Sequence, residues 1–246
     1  MAKKQQTDLS NNIFNTLKQE IISLAIKPGE LIVENEICNR FSVTRPPVRT
    51  TFKRLSDIGL VDIVPYKGVS ATLLDLGKIY QIIHMRTILE AQTICDFIDS
   101  DPDGFTIEEL EHNLRLQKLL IQEDPVNENE FFDKDSSFHE TWFNKMHCDQ
   151  IWGLIQQQQV EYTRFRMLDF VVTLKYPEIV SDHELLLKTI KAKKKDLVLP
   201  VLGSHLNNGL RRMGDLIFTD YKQYFKNTDQ TEYWRAYNLK YREALK

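Results

Sequence analysis

Val43-Thr44-Arg45-Pro46-Pro47-Val48-Arg49 is the stretch on which the fold turns. Thr44 can cap a helix, and Pro46 and Pro47 fall in the first turn, where backbone N–H groups have no intrahelical partner to lose. From there Val48, Phe52, Leu55 and Ile58 keep to one stripe, and Gly59 ends the helix. Arg45, Arg49 and Lys53 lie outside that stripe, one turn apart in succession.

Upstream, Ile13, Phe14, Leu17, Ile21 and Leu24 recur at helical spacing after Ser10, which reads as the N-cap. Pro28-Gly29 interrupts them, a short helix follows from about Glu34 to Phe41, and Ser42-Val43 makes a tight turn. Downstream, Leu60 to Val64 and Val69 to Leu73 are β-prone runs joined by Pro65-Tyr66-Lys67-Gly68, a predicted hairpin. Three helices and a hairpin in this order form the winged helix-turn-helix pattern, whose third helix enters the major groove of duplex DNA. Arginine is suited to bidentate contact with guanine O6 and N7, and an exposed helix start suits a phosphate. Thr44, Arg45, Pro47, Arg49 and Lys53, with Lys67 and Gly68 at the wing tip, are therefore the candidate contacts to operator DNA. On an isolated helix, three such cations would more often be a solvated face.

Beyond Asp75 the sequence carries no further strand signal. Its periodicity predicts helices near 78–99, 107–122, 129–144, 150–169, 182–194, 197–218 and 232–245. Thr106 with Glu109, and Ser181 with Glu184, fit capping boxes, and Tyr176-Pro177 reads as a chain break. The fold class is mainly α: a winged helix-turn-helix at 1–74, an all-helical bundle at 75–226, and an extra helix at 227–246. That last segment lines Tyr233, Trp234, Tyr237, Tyr241 and Leu245 on one face.

The totals fit a two-part globular protein: 246 residues, 42% hydrophobic and 27% charged. Apolar runs fall far short of the roughly 20 residues that a membrane span requires. Met1 to Ser10 is polar and has no apolar export core, and Cys38, Cys95 and Cys148 form no motif, so a cytoplasmic location is expected. Residues 1–74 hold ten Lys/Arg and seven Asp/Glu, a net of +3, and residues 75–246 hold 22 and 28, a net of −6. A basic head on an acidic body is the distribution expected when the head alone meets phosphate.

In the helical body, Asp135 and His139 are i, i+4, while His183 and His205 lie on later predicted helices. One carboxylate and three imidazoles can share a divalent cation, zinc or a nickel- or manganese-like ion, with positions left open. Spacing alone does not separate this from four structural residues, since a lone helical histidine is usually just that. A metal-dependent hydrolase on the same residues is the alternative. Against it, Glu140 and Glu184, the adjacent candidate bases, sit about 100° around their helices from the ligands.

Residues 13–73 resemble the DNA-binding domain of the GntR family of bacterial regulators. The likeness is carried by Ile26-Lys27-Pro28-Gly29-Glu30-Leu31, Glu34-Asn35-Glu36-Ile37, Phe41 through Arg49, Leu55, Gly59-Leu60-Val61 and Gly68. Two departures stand out. Thr50 and Thr51 replace the acidic and small residues common in the family, and Asn35 stands where an arginine is often found. Residues 78–226 resemble the FCD sensor domain of the FadR-type subfamily through Arg86-x-x-Leu89-Glu90, Asp135-x-x-Phe138-His139, His183 and His205. That likeness implies a transcription regulator, most often a repressor, with a metal at those four positions and a small organic acid as effector. Arg86, then Arg164, are the expected carboxylate partners; Arg166 raises the same question, and Arg86 also has Glu90 as a structural partner. A single reading head makes few contacts, so a symmetric homodimer on a palindrome is expected.

Overall fold

The computed structural model describes residues 2–226 and Tyr233, and its contacts separate two compact units. The first comprises Met1–Asp75 and Leu216–Lys226. Helix α1 (Ala2–Ile22) buries Ile13, Leu17 and Ile21, the predicted stripe. It begins well before Ser10, which is not its cap: Ser10 is buried, and its carbonyl accepts from the Thr51 hydroxyl at 3.3 Å. Thr51, one of the departures from the family pattern, thereby ties α1 to the third helix.

Strand β1 (Leu31–Ile32) precedes α2 (Glu34–Phe41). Ser42 takes the left-handed conformation, φ 52°, to turn the chain into α3 (Arg45–Asp57). Thr44 stands at the N-cap in extended geometry without a side-chain cap bond, and Val48, Phe52 and Leu55 are buried. The hairpin is present as β2 (Val61–Val64) and β3 (Gly68–Ala71), antiparallel with Val64 opposite Gly68. β1 adds to the other edge of β3, giving the order β1-β3-β2. A two-residue strand is too short to carry a period-2 pattern, so β1 has no signature in the sequence. Strand β4 (Leu74–Asp75) pairs in parallel with β5 (Phe225–Lys226). This corrects two expectations: a strand does follow Asp75, and residues 216–226 pack with the DNA-reading unit rather than with the helical body.

The second unit, from Leu76 to Asp215, is all helical. It runs α4 (Leu76–Asp99), α5 (Gly104–Leu120), α6 (Glu128–Lys145), α7 (Asp149–Gln158), α8 (Val160–Thr173), α9 (Tyr176–Lys191) and α10 (Lys195–Met213). α4 lies against α6, α8, α9 and α10, and α5 lies against α6 and α9. The cap of α5 is Asp103, which accepts from the Thr106 N–H at 2.8 Å, so the predicted box starting at Thr106 sits one turn too late. The predicted helix 150–169 is interrupted at the buried Gln159. Pro177 does not break the chain. It occupies the first turn of α9, where proline is tolerated, so Ser181 is internal and His183 lies mid-helix. The predicted helix 232–245 lies, apart from Tyr233, outside the described residues.

Candidate functional site

On the first unit, α3 directs Arg45 and Arg49 outward, with side chains 61% and 65% exposed. Thr44, Lys53, Lys67 and Gly68 are exposed as well. Pro47 is not: it is buried, so it supports the helix start from beneath and presents nothing to a groove. The wing tip needs two positive φ values, Tyr66 at 63° and Gly68 at 107°. A Cβ on Gly68 would stand 3.2 Å from Leu31 Cδ1, so this glycine lets the wing close onto β1. Tyr66, which the sequence reading did not single out, is fully exposed at the tip.

In the second unit, Asp135 and His139 from α6, His183 from α9 and His205 from α10 converge. One ligand atom from each can be chosen so that all lie within 4.8 Å of one another. His139 Nε2 and His205 Nε2 are 3.1 Å apart, and His183 Nε2 is 3.4 Å from Asp135 Oδ1. Asp135, His139 and His183 are buried, and His205 is nearly so.

Each imidazole is held from behind. His139 donates from Nδ1 to Glu90 Oε2 at 2.6 Å, and His183 donates from Nδ1 to Gln117 Oε1 at 2.8 Å. His205 Nδ1 faces Asp182 Oδ2 at 3.4 Å. Gln117 is itself oriented, donating to Asn113 Oδ1 at 2.8 Å, and Asn208 donates to Asp182 Oδ2 at 2.6 Å. With the Nδ1 positions committed to acceptors, the Nε2 lone pairs face the cluster, which is the tautomer a metal requires. Phe138 stacks on His183 at 4.6 Å and fixes the plane of that ring.

The electrostatics agree. Burial lowers the His139 pKa, more than Glu90 raises it. Burial, reinforced by the neighbouring His205, pushes His183 well below the ordinary value. Both rings are therefore neutral near pH 7 and available as ligands. Burial disfavours an ionised Asp135, yet the Arg166 guanidinium beside it outweighs burial and holds the carboxyl below the ordinary carboxylate range. Glu90 is likewise disfavoured by burial, but Arg86 and His139 hold it at about 2. Asp135 Oδ2 and His183 Nε2 are buried and lack hydrogen-bond partners, and Asp135 Oδ1 has its ion pair with Arg166. Orphaned buried polar atoms are costly, and two of them within the Asp/His cluster fit a cation bound there.

The arginines divide. Arg86 is buried on α4, and its Nε donates to Glu90 Oε1 at 2.6 Å. Arg166 on α8 brings Nη2 to 2.6 Å from Asp135 Oδ1 and lies over Phe132 at 5.0 Å and Phe170 at 5.2 Å. Arg164 is fully buried, and desolvation lowers its pKa against the opposing charge of Glu161. Arg86 and Arg166 thus border the Asp/His cluster. Of the proposed bases, Glu184 turns away to pair with Lys118 at the surface.

Comparison with known proteins follows the two units. The model for "Bacterial regulatory proteins, gntR family" matches residues 9–70, and that for the FCD domain matches residues 81–208. The chain belongs to the GntR family. Its DNA-binding helix-turn-helix and FCD ligand-binding domain make it a transcription regulator, not an enzyme. The HTH-type transcriptional repressor RspR of Escherichia coli is 24% identical over 201 residues, 80% of this chain and 86% of that one. The gluconate operon transcriptional repressor of Bacillus subtilis is 26% identical over 205 residues, 81% and 83% of the two chains. A GntR transcriptional regulator from Rhodococcus sp. RHA1 superposes with a TM-score of 0.67 at 17% identity, covering 83% of this chain and 97% of its own. Escherichia coli McbR/YncC gives 0.65 at 16% identity, covering 87% and 98%; both show the same fold. No helix among the described residues is long and apolar enough to cross a membrane.

Proposed function

We propose that this GntR regulator is a repressor whose hold on operator DNA is set by a small organic acid bound beside a divalent metal ion. Arg45 and Arg49 read base edges in the major groove. Thr44 and Lys53 meet phosphates, and Lys67 and Gly68 bring the wing to the backbone or minor groove. Asp135, His139, His183 and His205 hold the metal, which supplies a fixed positive centre when bound. The reading rests above all on one observation: three imidazoles anchored through Nδ1 present their Nε2 atoms to one buried carboxylate.

Charge supports an anionic effector. Asp135, Glu90 and Asp182 set three negative charges in and around the cluster. Arg86 and Arg166 with a dication set four positive ones, so a monocarboxylate brings the site to neutrality. Arg86 and Arg166 border the ligands and can engage such a carboxylate; the buried Arg164 supports the wall of the bundle. The repressor assignment follows the similarity to RspR and the gluconate repressor. Binding as a homodimer to a palindrome gives the affinity that one head lacks.

The test begins with duplexes selected from a random pool by the purified protein, followed by titration with small mono- and dicarboxylates, with and without chelator. One acid should change affinity for the selected duplex by about 5- to 150-fold, and chelator should abolish the effect. An acid response that survives complete metal removal would refute the metal-linked mechanism. Failure to select any sequence would refute the DNA reading.

A further inference from the structure

Glu34 occupies the first turn of α2, a position where any carboxylate is favoured by the helix dipole. Its contacts go further than that. Oε2 accepts from Arg49 Nε at 3.0 Å, and Oε1 lies 3.4 Å from Arg45 Nε. Asn35 completes the arrangement, its Oδ1 accepting from Arg45 Nη2 at 3.2 Å. Glu34 is less exposed than either arginine, 27% against 61% and 65%, and its Oε1 is buried without a hydrogen bond.

We propose that Glu34 is a specificity-determining residue: one carboxylate on α2 that holds Arg49 by its Nε edge, leaving its Nη edge to bases, and pairs with Arg45 alongside. This rests on the DNA-reading assignment above. Two long side chains on an exposed helix face would otherwise sample many rotamers and settle on any phosphate within reach. A carboxylate on Nε leaves the terminal Nη1/Nη2 edge of Arg49 in position for the two acceptors of guanine. The same negative charge lowers the local charge of the pair from +2 to +1 and repels phosphate. It therefore penalises non-specific binding, where arginine is used as a point charge, more than specific binding, where its geometry is used. The raised Arg49 pKa, caused by its hydrogen bond to Glu34, is consistent with that hold. Asn35 fits the scheme: its Oδ1 is an acceptor that steadies Arg45.

The experiment compares wild type, Glu34→Gln and Glu34→Ala on a duplex selected by the wild type and on its scrambled counterpart, across a salt series. Glu34→Gln keeps the shape and removes the charge. It should bind scrambled DNA more tightly, with a salt slope steeper by about one, the contribution of roughly one added phosphate contact. Glu34→Ala removes the clamp as well and should also weaken binding to the selected duplex. In both variants the ratio of selected to scrambled affinity should fall by about 10-fold, within the range of one bidentate base contact. A ratio within twofold of wild type and an unchanged slope in Glu34→Gln overturns the proposal, even if Glu34→Ala fails to fold. A wild type that shows no preference for any duplex would instead strike at the DNA-reading assignment itself.

Discussion

Glu90→Gln is the substitution that most directly probes the helical unit. Glu90 is fully buried and accepts twice at 2.6 Å, from Arg86 Nε through Oε1 and from His139 Nδ1 through Oε2. Glutamine has the same shape but one acceptor and one donor end, so either orientation sets an NH2 against an N–H. The least costly escape is for His139 to change tautomer, accepting at Nδ1 and carrying its proton on Nε2. That satisfies the glutamine and removes the lone pair aimed at the cluster. Arg86 also loses the charge that neutralises it in a position 2% exposed. Breaking a buried pair by removing one partner typically costs about 3–5 kcal/mol. Asp135 also acts on Arg86, so the lower end, about 3 kcal/mol, is expected. For a chain of this size that is a fall in Tm of roughly 6–12 °C for chelator-stripped protein. Metal affinity, measured by competition with a chromophoric chelator, should drop by about 10- to 100-fold, as for other partners behind a ligating histidine. A variant that melts within a degree of wild type and competes for metal within twofold would refute both the ion-pair argument and the tautomer argument.

Arg49→Ala should lose about 1–3 kcal/mol of discrimination between selected and random duplexes; an unchanged ratio would remove α3 from base reading. His183→Ala should reduce metal content by elemental analysis, and equal content in variant and wild type would take His183 out of the ligand set. Gly68→Ala forces a side chain onto a 107° φ and to within 3.2 Å of Leu31 Cδ1, so stability should fall by roughly 1 kcal/mol or more. Urea unfolding measures it, and a neutral result would show that the wing relaxes freely. Arg166→Ala should weaken the response to the active carboxylate while Arg164→Ala chiefly lowers the melting temperature. The reverse pattern would exchange the roles assigned to them.

What was legible in the sequence had a local physical signature. The α3 stripe, the proline pair and the hairpin turn each follow from backbone chemistry within a few residues, and the reading head emerged nearly whole. Asp135 and His139 share a helix face at i, i+4, so half of the ligand set was visible from spacing. The resemblance supplied His183 and His205, because nothing local to α9 or α10 relates those rings to α6. Groups contributed by other helices stayed hidden for the same reason. Gln117 on α5 and Asp182 on α9 look like ordinary polar residues until packing sets them behind a ring. Glu90 was visible only as a neighbour of Arg86, an exposed pair worth a few tenths of a kcal/mol. Burial changes it into a two-sided anchor. Pro47 misled in the opposite sense, since membership of a DNA-reading motif does not reveal which side of the helix a residue faces.

The pairing of Phe225–Lys226 with Leu74–Asp75 gives the molecule an unusual order of completion. Among the described residues, the sensor is an insert between two pieces of the reader, not an appendage to it. A gene fragment stopping at residue 75 would encode a reader with an open strand edge, and grafting this head onto another sensor means carrying both pieces across. On the ribosome, the strand that pairs with β4 is made only after Asp135, His139, His183 and His205 have been synthesised. A translation product that ends before residue 225 therefore lacks the strand that pairs with β4.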